Sequence, residues 1–213
     1  MEFGALCWCG AMHRSASLLP VAAVLAACAA RLPPATGPEA AQCLTQLDGA
    51  GVRYERVAML AETSTCVIDN PVRVTLAAAA WNQPGLVSCA FAARLEEFTR
   101  EVVERTARAR FGEGVRGIRN LGTYSCRREN GGNGRWSQHA RGNAIDIAGF
   151  ELESGTVVLV ANDWRGSGPK RAFLHDIARA ACHRFSAVLT PDSDREHLDH
   201  IHLDAGPYRL CGA

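Results

Sequence analysis

Residues 137–161 read S-Q-H-A-R-G-N-A-I-D-I-A-G-F-E-L-E-S-G-T-V-V-L-V-A. From Ala144 to Phe150 the chain alternates in strand fashion. Ile145 and Ile147 fall on one face and Asp146 on the other, because side chains two apart share a face of a strand. Thr156 to Ala161 is a second apolar, β-branched run. Glu153-Ser154-Gly155 between the two has turn chemistry, so the pair reads as a hairpin. Hairpin strands are antiparallel, and this fixes the character of the sheet they belong to.

Outward from that hairpin, residues 128–136 (R-E-N-G-G-N-G-R-W) form a glycine-rich loop, and Val115 to Leu121 a strand before it. The clearest helix spans Val87 to Arg110. Its Phe91, Leu95, Phe98 and Val102 step by four, three and four into one apolar stripe. Pro84-Gly85 reads as a break before it, and Gly112 and Gly114 end it. Further upstream lie an expected strand at Pro71–Leu76, another from Gly51 to Met59 and a short helix from Gln42 to Gly49. Downstream come a helix from Lys170 to Arg184, with Phe173, Ile177 and Ala181 on one face, and strands at Phe185–Leu189 and His200–Asp204. Strands and helices mix without strict alternation and without an internal repeat. The expected class is α+β, a small antiparallel sheet flanked by helices.

The chain has 213 residues, enough for one domain of ordinary size and a short leader. Its formal net charge is +1, so no basic excess points to nucleic acid, and no charge block points to a polyelectrolyte partner. From Met12 it reads M-H-R-S-A-S-L-L-P-V-A-A-V-L-A-A-C. His13 and Arg14 make a basic n-region and Leu18 to Ala27 an apolar one, shorter than the roughly 20 residues that span a bilayer. This is a secretory signal pattern. Leu25-Ala26-Ala27-Cys28 resembles a lipobox, in which Cys28 is lipidated and tethers the mature chain to a membrane. The absence of Asp after it points to the outer membrane. Ordinary cleavage at an A-x-A-like site, giving a soluble periplasmic protein, is the alternative. The expected organisation is residues 1–28 as upstream extension and signal peptide, 29–42 as an Ala/Pro-rich linker, and 43–213 as the domain.

Nine cysteines agree with an oxidising compartment. Setting aside Cys7, Cys9 and Cys28 leaves six, none with C-x-x-C spacing. An even number in an exported domain implies disulfides, and six thiols allow fifteen connectivities. The simplest network joins neighbours in sequence: Cys43–Cys66, Cys89–Cys126 and Cys182–Cys211.

Four of the seven histidines lie in two short segments, one holding His139, the other reading Glu196-His197-Leu198-Asp199-His200-Ile201-His202-Leu203-Asp204. If the second is a strand, His200, His202 and Asp204 share one face while Ile201 and Leu203 enter the apolar layer. Asp146 sits beside small alanines on its own strand. His139 precedes the turn at Gly142 and can fold back beside it. Two imidazoles, one carboxylate and an open position make a catalytic zinc site. On spacing alone, an H-x-H pair and an H-x6-D match are more often ordinary surface or core side chains.

The whole pattern says more. S-x-H-x-x-G-x-A-x-D resembles the first zinc motif of the D-Ala-D-Ala carboxypeptidase and dipeptidase metallopeptidases, and the trailing H-x-H resembles their second. The superfamily includes lysostaphin-type endopeptidases and the hedgehog signalling domain. More closely, G-T-Y-S-C-R, S-Q-H-A-R-G-N-A-I-D-I-A-G-F and H-L-D-H-I-H-L-D are similar to the bacterial extensin-like C-terminal domain family, over roughly residues 43–213. The resemblance implies a hedgehog/D-Ala-D-Ala-peptidase-like fold with Zn2+ held by His139, Asp146 and His202. It implies that His200 stabilises the oxyanion or holds the water. It puts the general base three residues before the last ligand, at Asp199, or six before, at Glu196, with Asp199 preferred even though most relatives use Glu. On a strand, Asp199 would start on the face opposite His202.

Other residues have two readings. Arg127 binds a substrate carboxylate, or forms a surface ion pair. Ser137 donates to substrate, or caps the turn. Trp136 lines the groove, or packs on the domain edge. His197 reads as surface. Zinc motif and envelope address together imply a peptidoglycan hydrolase acting on stem peptides or their cross-links. A zinc-containing, non-catalytic cell-wall binding module is the second reading, and a metal-free structural envelope lipoprotein the third.

Overall fold

The computed structural model describes residues 37–213, apart from 59, 62 and 130–133. The signal segment, Cys28 and residues 29–36 of the expected linker lie outside the described residues.

The chain runs α1 (Pro38–Gly49), β1 (Arg53–Arg56), β2 (Leu60–Ala61), β3 (Val67–Ile68), β4 (Pro71–Leu76), β5 (Ala80–Ser88) and α2 (Cys89–Phe98). A wide turn at Thr99–Val103 carries α2 into α3 (Glu104–Phe111). Then follow β6 (Val115–Gly122), β7 (Ala144–Leu152), β8 (Val157–Leu159), α4 (Val160–Asp163), α5 (Gly168–Ala181), β9 (Ala187–Leu189), β10 (Ile201–Asp204) and β11 (Leu210–Cys211). The fold is mixed α/β.

The main sheet has nine strands among the described residues, in the order β1-β4-β5-β6-β7-β10-β9-β11, with β8 also paired to β7. It is larger than the small sheet expected and not wholly antiparallel, since β5–β6 and β9–β11 pair in parallel. The β7–β8 hairpin forms as read. β8 is shorter than expected, because Val160–Asp163 turns helical and the Asp163 carboxylate accepts the Leu159 N–H. α1 begins at Pro38 rather than Gln42. Proline suits a first helical turn, where an N–H has no partner to lose.

Pro84-Gly85 lies inside β5 and is no break. Pro84 falls between the Gly85 and Ala80 pairings of β4–β5, at a register shift, so its missing N–H leaves no rung unfilled. Gly85 admits the Trp81 ring: a Cβ there would stand 2.3 Å from it. The long helix starts after Ser88, whose hydroxyl accepts the Phe91 N–H.

The apolar stripe of that helix is buried as expected, with Phe91, Leu95 and Phe98 almost fully covered. Phe185 sits against both Phe91 and Phe98. From α5, Phe173 packs edge-on to Phe150 of β7 and to Phe111 of α3. Burial on the order of 1.5–3 kcal/mol per such side chain makes this layer the main support of the sheet. Along β7 the register against β6 slips at Ala148, between Ile147↔Asn120 and Gly149↔Arg119. Ile145 and Ile147 before the slip, and Phe150 and Leu152 after it, are all buried. A bulge of this kind shifts the alternation by one residue.

Two of the three expected disulfides are re-partnered. The bonds are Cys43–Cys89, Cys66–Cys126 and Cys182–Cys211. Packing of α1 against α2 sets Cys43 beside Cys89, with Cα atoms 6.2 Å apart. Nearness in sequence was a poor guide to nearness in space.

Candidate metal centre

β7 and β10 are neighbours, and their register sets His202 directly opposite Asp146. Directly opposed residues share a sheet face. Ile201 and Leu203 go to the core and are 1% and 0% exposed. His139 arrives from a single 3-10 turn, Gln138–Arg141. Ser137 caps that turn by accepting the His139 N–H. Gly142 ends it in the left-handed region, φ 63°, where a Cβ would come within 2.9 Å of both Ile68 and the Ser88 nitrogen. Only glycine satisfies both demands, which is why the motif needs it there.

The three side chains converge. His139 Nε2 is 3.2 Å from Asp146 Oδ2 and 3.2 Å from His202 Nδ1, and His202 Nδ1 is 2.8 Å from Asp146 Oδ1. One ligand atom from each lies within 4.8 Å of the others. Ligands on a tetrahedral zinc with bonds of about 2.0–2.1 Å are about 3.3 Å apart, so this triangle is the right size. The outer nitrogens are engaged as well. His139 Nδ1 donates to the Thr123 carbonyl at 2.9 Å, and His202 Nε2 to Asp204 at 3.3 Å. That directs His139 Nε2 and His202 Nδ1 inward, the usual way a protein orients imidazole ligands. The donor set fits zinc.

The electrostatics agree. Burial pulls the His202 imidazole down, but hydrogen bonds and charge from Asp146 and Asp204 outweigh it and push it up to about 9. Burial raises Asp146, yet His139 and His202 hold it well below the usual carboxylate range. Without metal, a proton on His202 Nδ1 bridges to Asp146 where a cation would otherwise sit.

A cleft of about 490 Å³ opens over this triangle. His200 lines it, with Nε2 3.5 Å from Asp146 Oδ1 and Nδ1 donating to Asp199. Glu196 lines it too. Asp199 is not among the lining residues, and its side chain is 61% exposed. Arg127 and Ser137 are on the wall, Ser137 acting as the cap described above. Trp136 is not among the lining residues; it lies half-buried beneath the Arg128 guanidinium.

Four residues at the site were given no role by the sequence. His197 is no surface residue: it lines the cleft, donates to Asp194 at 2.6 Å, and packs against His200 and His202. Burial, set against the Asp194 charge, lowers its pKa. Asp204 and Tyr208 form the support behind His202. Asp204 was legible as the third same-face residue of the strand. The Thr123 carbonyl, being backbone, leaves no mark in sequence.

The family model described as extensin-like protein C-terminus matches residues 41–212. The span covers most of the chain, and the chain belongs to this family. No curated protein and no solved structure matches it.

Proposed function

We propose that this member of the extensin-like C-terminus family is a zinc-dependent peptidoglycan hydrolase that cuts stem peptides or their cross-links. The observation that carries the reading is the convergence of His139, Asp146 and His202 on the wall of one cleft, with the outer nitrogen of each imidazole already pinned. The likeness of its motifs to D-Ala-D-Ala metallopeptidases supplies the substrate class. The signal pattern and Cys28 supply an address in the cell envelope, as a periplasmic or outer-membrane lipoprotein.

Zinc bound there supplies a Lewis acid that acidifies a water and polarises the scissile carbonyl. Glu196, on the cleft wall, takes the proton from the attacking water and returns it to the leaving amine. Asp199, turned away from the cleft, anchors the His200 ring through Nδ1. With a proton on each ring nitrogen, His200 would donate through Nε2 to the oxygen on which negative charge grows while Nδ1 stays bonded to Asp199. Arg127, on the cleft wall, would hold a substrate carboxylate.

One observation favours the second reading, a zinc-containing wall-binding module without catalysis: Asp199, at the base position of the related dipeptidases, faces solvent. Digestion of purified peptidoglycan by the disulfide-intact chain separates the two. Zinc-dependent cleavage, abolished in His139→Ala, with products identified by mass, supports the hydrolase. Retention on the wall with zinc bound and no cleavage supports the module.

A further inference from the structure

Asp204 ends β10 on the same face as His202 and is 2% exposed. Three donors reach its carboxylate. Oδ1 accepts the Gly206 N–H at 2.9 Å, and Oδ2 accepts His202 Nε2 at 3.3 Å and the Tyr208 hydroxyl at 2.8 Å. Gly206 N–H and the Tyr208 hydroxyl donate to this carboxylate, and His202 Nε2 completes the set by presenting a hydrogen to Oδ2. A proton is thereby held on His202 Nε2.

Tyr208 reaches this carboxylate from the bend at Pro207 and Tyr208, just past Gly206. A Cβ on Gly206 would stand 2.8 Å from the phenol ring. The ring lies on the cleft wall, with the Arg135 guanidinium over it at 5.7 Å. Downstream the segment is fastened by β11 and by the Cys182–Cys211 bond. The C-terminal segment is thus tied to the back of the last zinc ligand.

We propose that Asp204 and Tyr208 are positioning residues for the metal centre: they hold the proton of His202 on Nε2 and so present Nδ1 to the metal, while Thr123 fixes the opposite choice for His139. The two imidazoles then bind through different nitrogens, His139 by Nε2 and His202 by Nδ1. The inference rests on the zinc reading above. It adds that zinc affinity is set in part from outside the ligand triangle. Outer partners of metal-bound histidines are typically worth about 10- to 100-fold in affinity.

The test uses the full domain with its disulfides intact. Zinc affinity is measured by competition with a chromogenic chelator for the wild type, Asp204→Asn and Tyr208→Phe. The binding nitrogen of His202 is read from ¹⁵N shifts of the zinc-loaded wild type. The expected result is Nδ1 ligation in the wild type, a 10- to 100-fold weaker Kd in Asp204→Asn and a smaller loss in Tyr208→Phe, with near-UV circular dichroism unchanged. The spectroscopic reading of the wild type stands even where a variant does not fold. Ligation through Nε2, or folded variants with wild-type affinity, overturns the inference and leaves the zinc reading intact. A wild type that takes up no zinc overturns both.

Discussion

His202 faces Asp146 across the β7–β10 ladder, its Nδ1 2.8 Å from the carboxylate. The contact holds a proton, and a metal bound to the proposed site would compete with that proton for one position. With His202 pushed up to about 9, zinc must displace that proton at neutral pH. Apparent zinc affinity is therefore expected to rise about tenfold per pH unit from pH 7 to about 9 and then level off. Chelator competition from pH 6 to 10 checks this, and a flat profile contradicts it.

The metal-free protein has the opposite slope. A histidine whose pKa is raised by folding stabilises fully below its unfolded value near 6.5, and that stability is lost as pH rises through about 9. The loss is on the order of 3 kcal/mol. Asp146, held low, stabilises above the ordinary carboxylate range and loses its contribution only in strong acid. Thermal unfolding of the zinc-free chain is expected to peak between about pH 4 and 6.5 and to fall towards pH 9. Added zinc should remove the alkaline fall.

Glu196 lines the cleft and Asp199 does not. Glu196→Gln is therefore expected to lower kcat on peptidoglycan by about 100-fold or more, as loss of a general base does. Asp199→Asn leaves the His200 ring a hydrogen-bond partner and should cost less than about tenfold. Steady-state kinetics with a soluble stem-peptide fragment decides it; the reverse ranking would return the role to Asp199.

Gly142→Ala puts a Cβ in a left-handed conformation and against Ile68 and the Ser88 nitrogen. Strain of about 1–3 kcal/mol from the backbone alone is expected, with the clash added. Because this turn sets His139, zinc affinity should fall together with the denaturation midpoint. A variant with unchanged midpoint and affinity would show that the turn does not position the ligand.

The Cys182–Cys211 bond closes a span of 29 residues and Cys66–Cys126 one of 60. Cys211 is exposed, whereas Cys66 is fully buried. Mild dithiol treatment is expected to open Cys182–Cys211 first, as seen by alkylation and peptide mapping. Serine replacement of the Cys66–Cys126 pair should cost about 4 kcal/mol by loop-closure entropy.

Much of the site was legible because its signals are local. Strand alternation placed Asp146 opposite Ile145 and Ile147, and His202 between Ile201 and Leu203. The motif glycine marked the turn that brings His139 back. What escaped depends on contacts between distant segments. The disulfide partners follow from α1 lying on α2, which no spacing within either helix reveals. Pro84 sits in β5 because the ladder slips where its N–H would be needed. Asp199 was preferred to Glu196 on motif spacing, but a 3-10 turn at Arg195–His197 leads into β10 where a continued strand would have set another phase, and Glu196 is the one that lines the cleft. His197 looked like surface until Asp194 and the neighbouring imidazoles enclosed it.

The proposed chemistry requires a metal bound by two imidazoles and one carboxylate. Zinc-edge X-ray absorption of the disulfide-intact chain, loaded with one equivalent of zinc, tests that most directly. A shell of nitrogen and oxygen at about 2.0–2.1 Å with imidazole outer scattering, lost in His139→Ala, is the predicted result. Absence of tight zinc uptake, or a sulfur shell near about 2.3 Å, would contradict it.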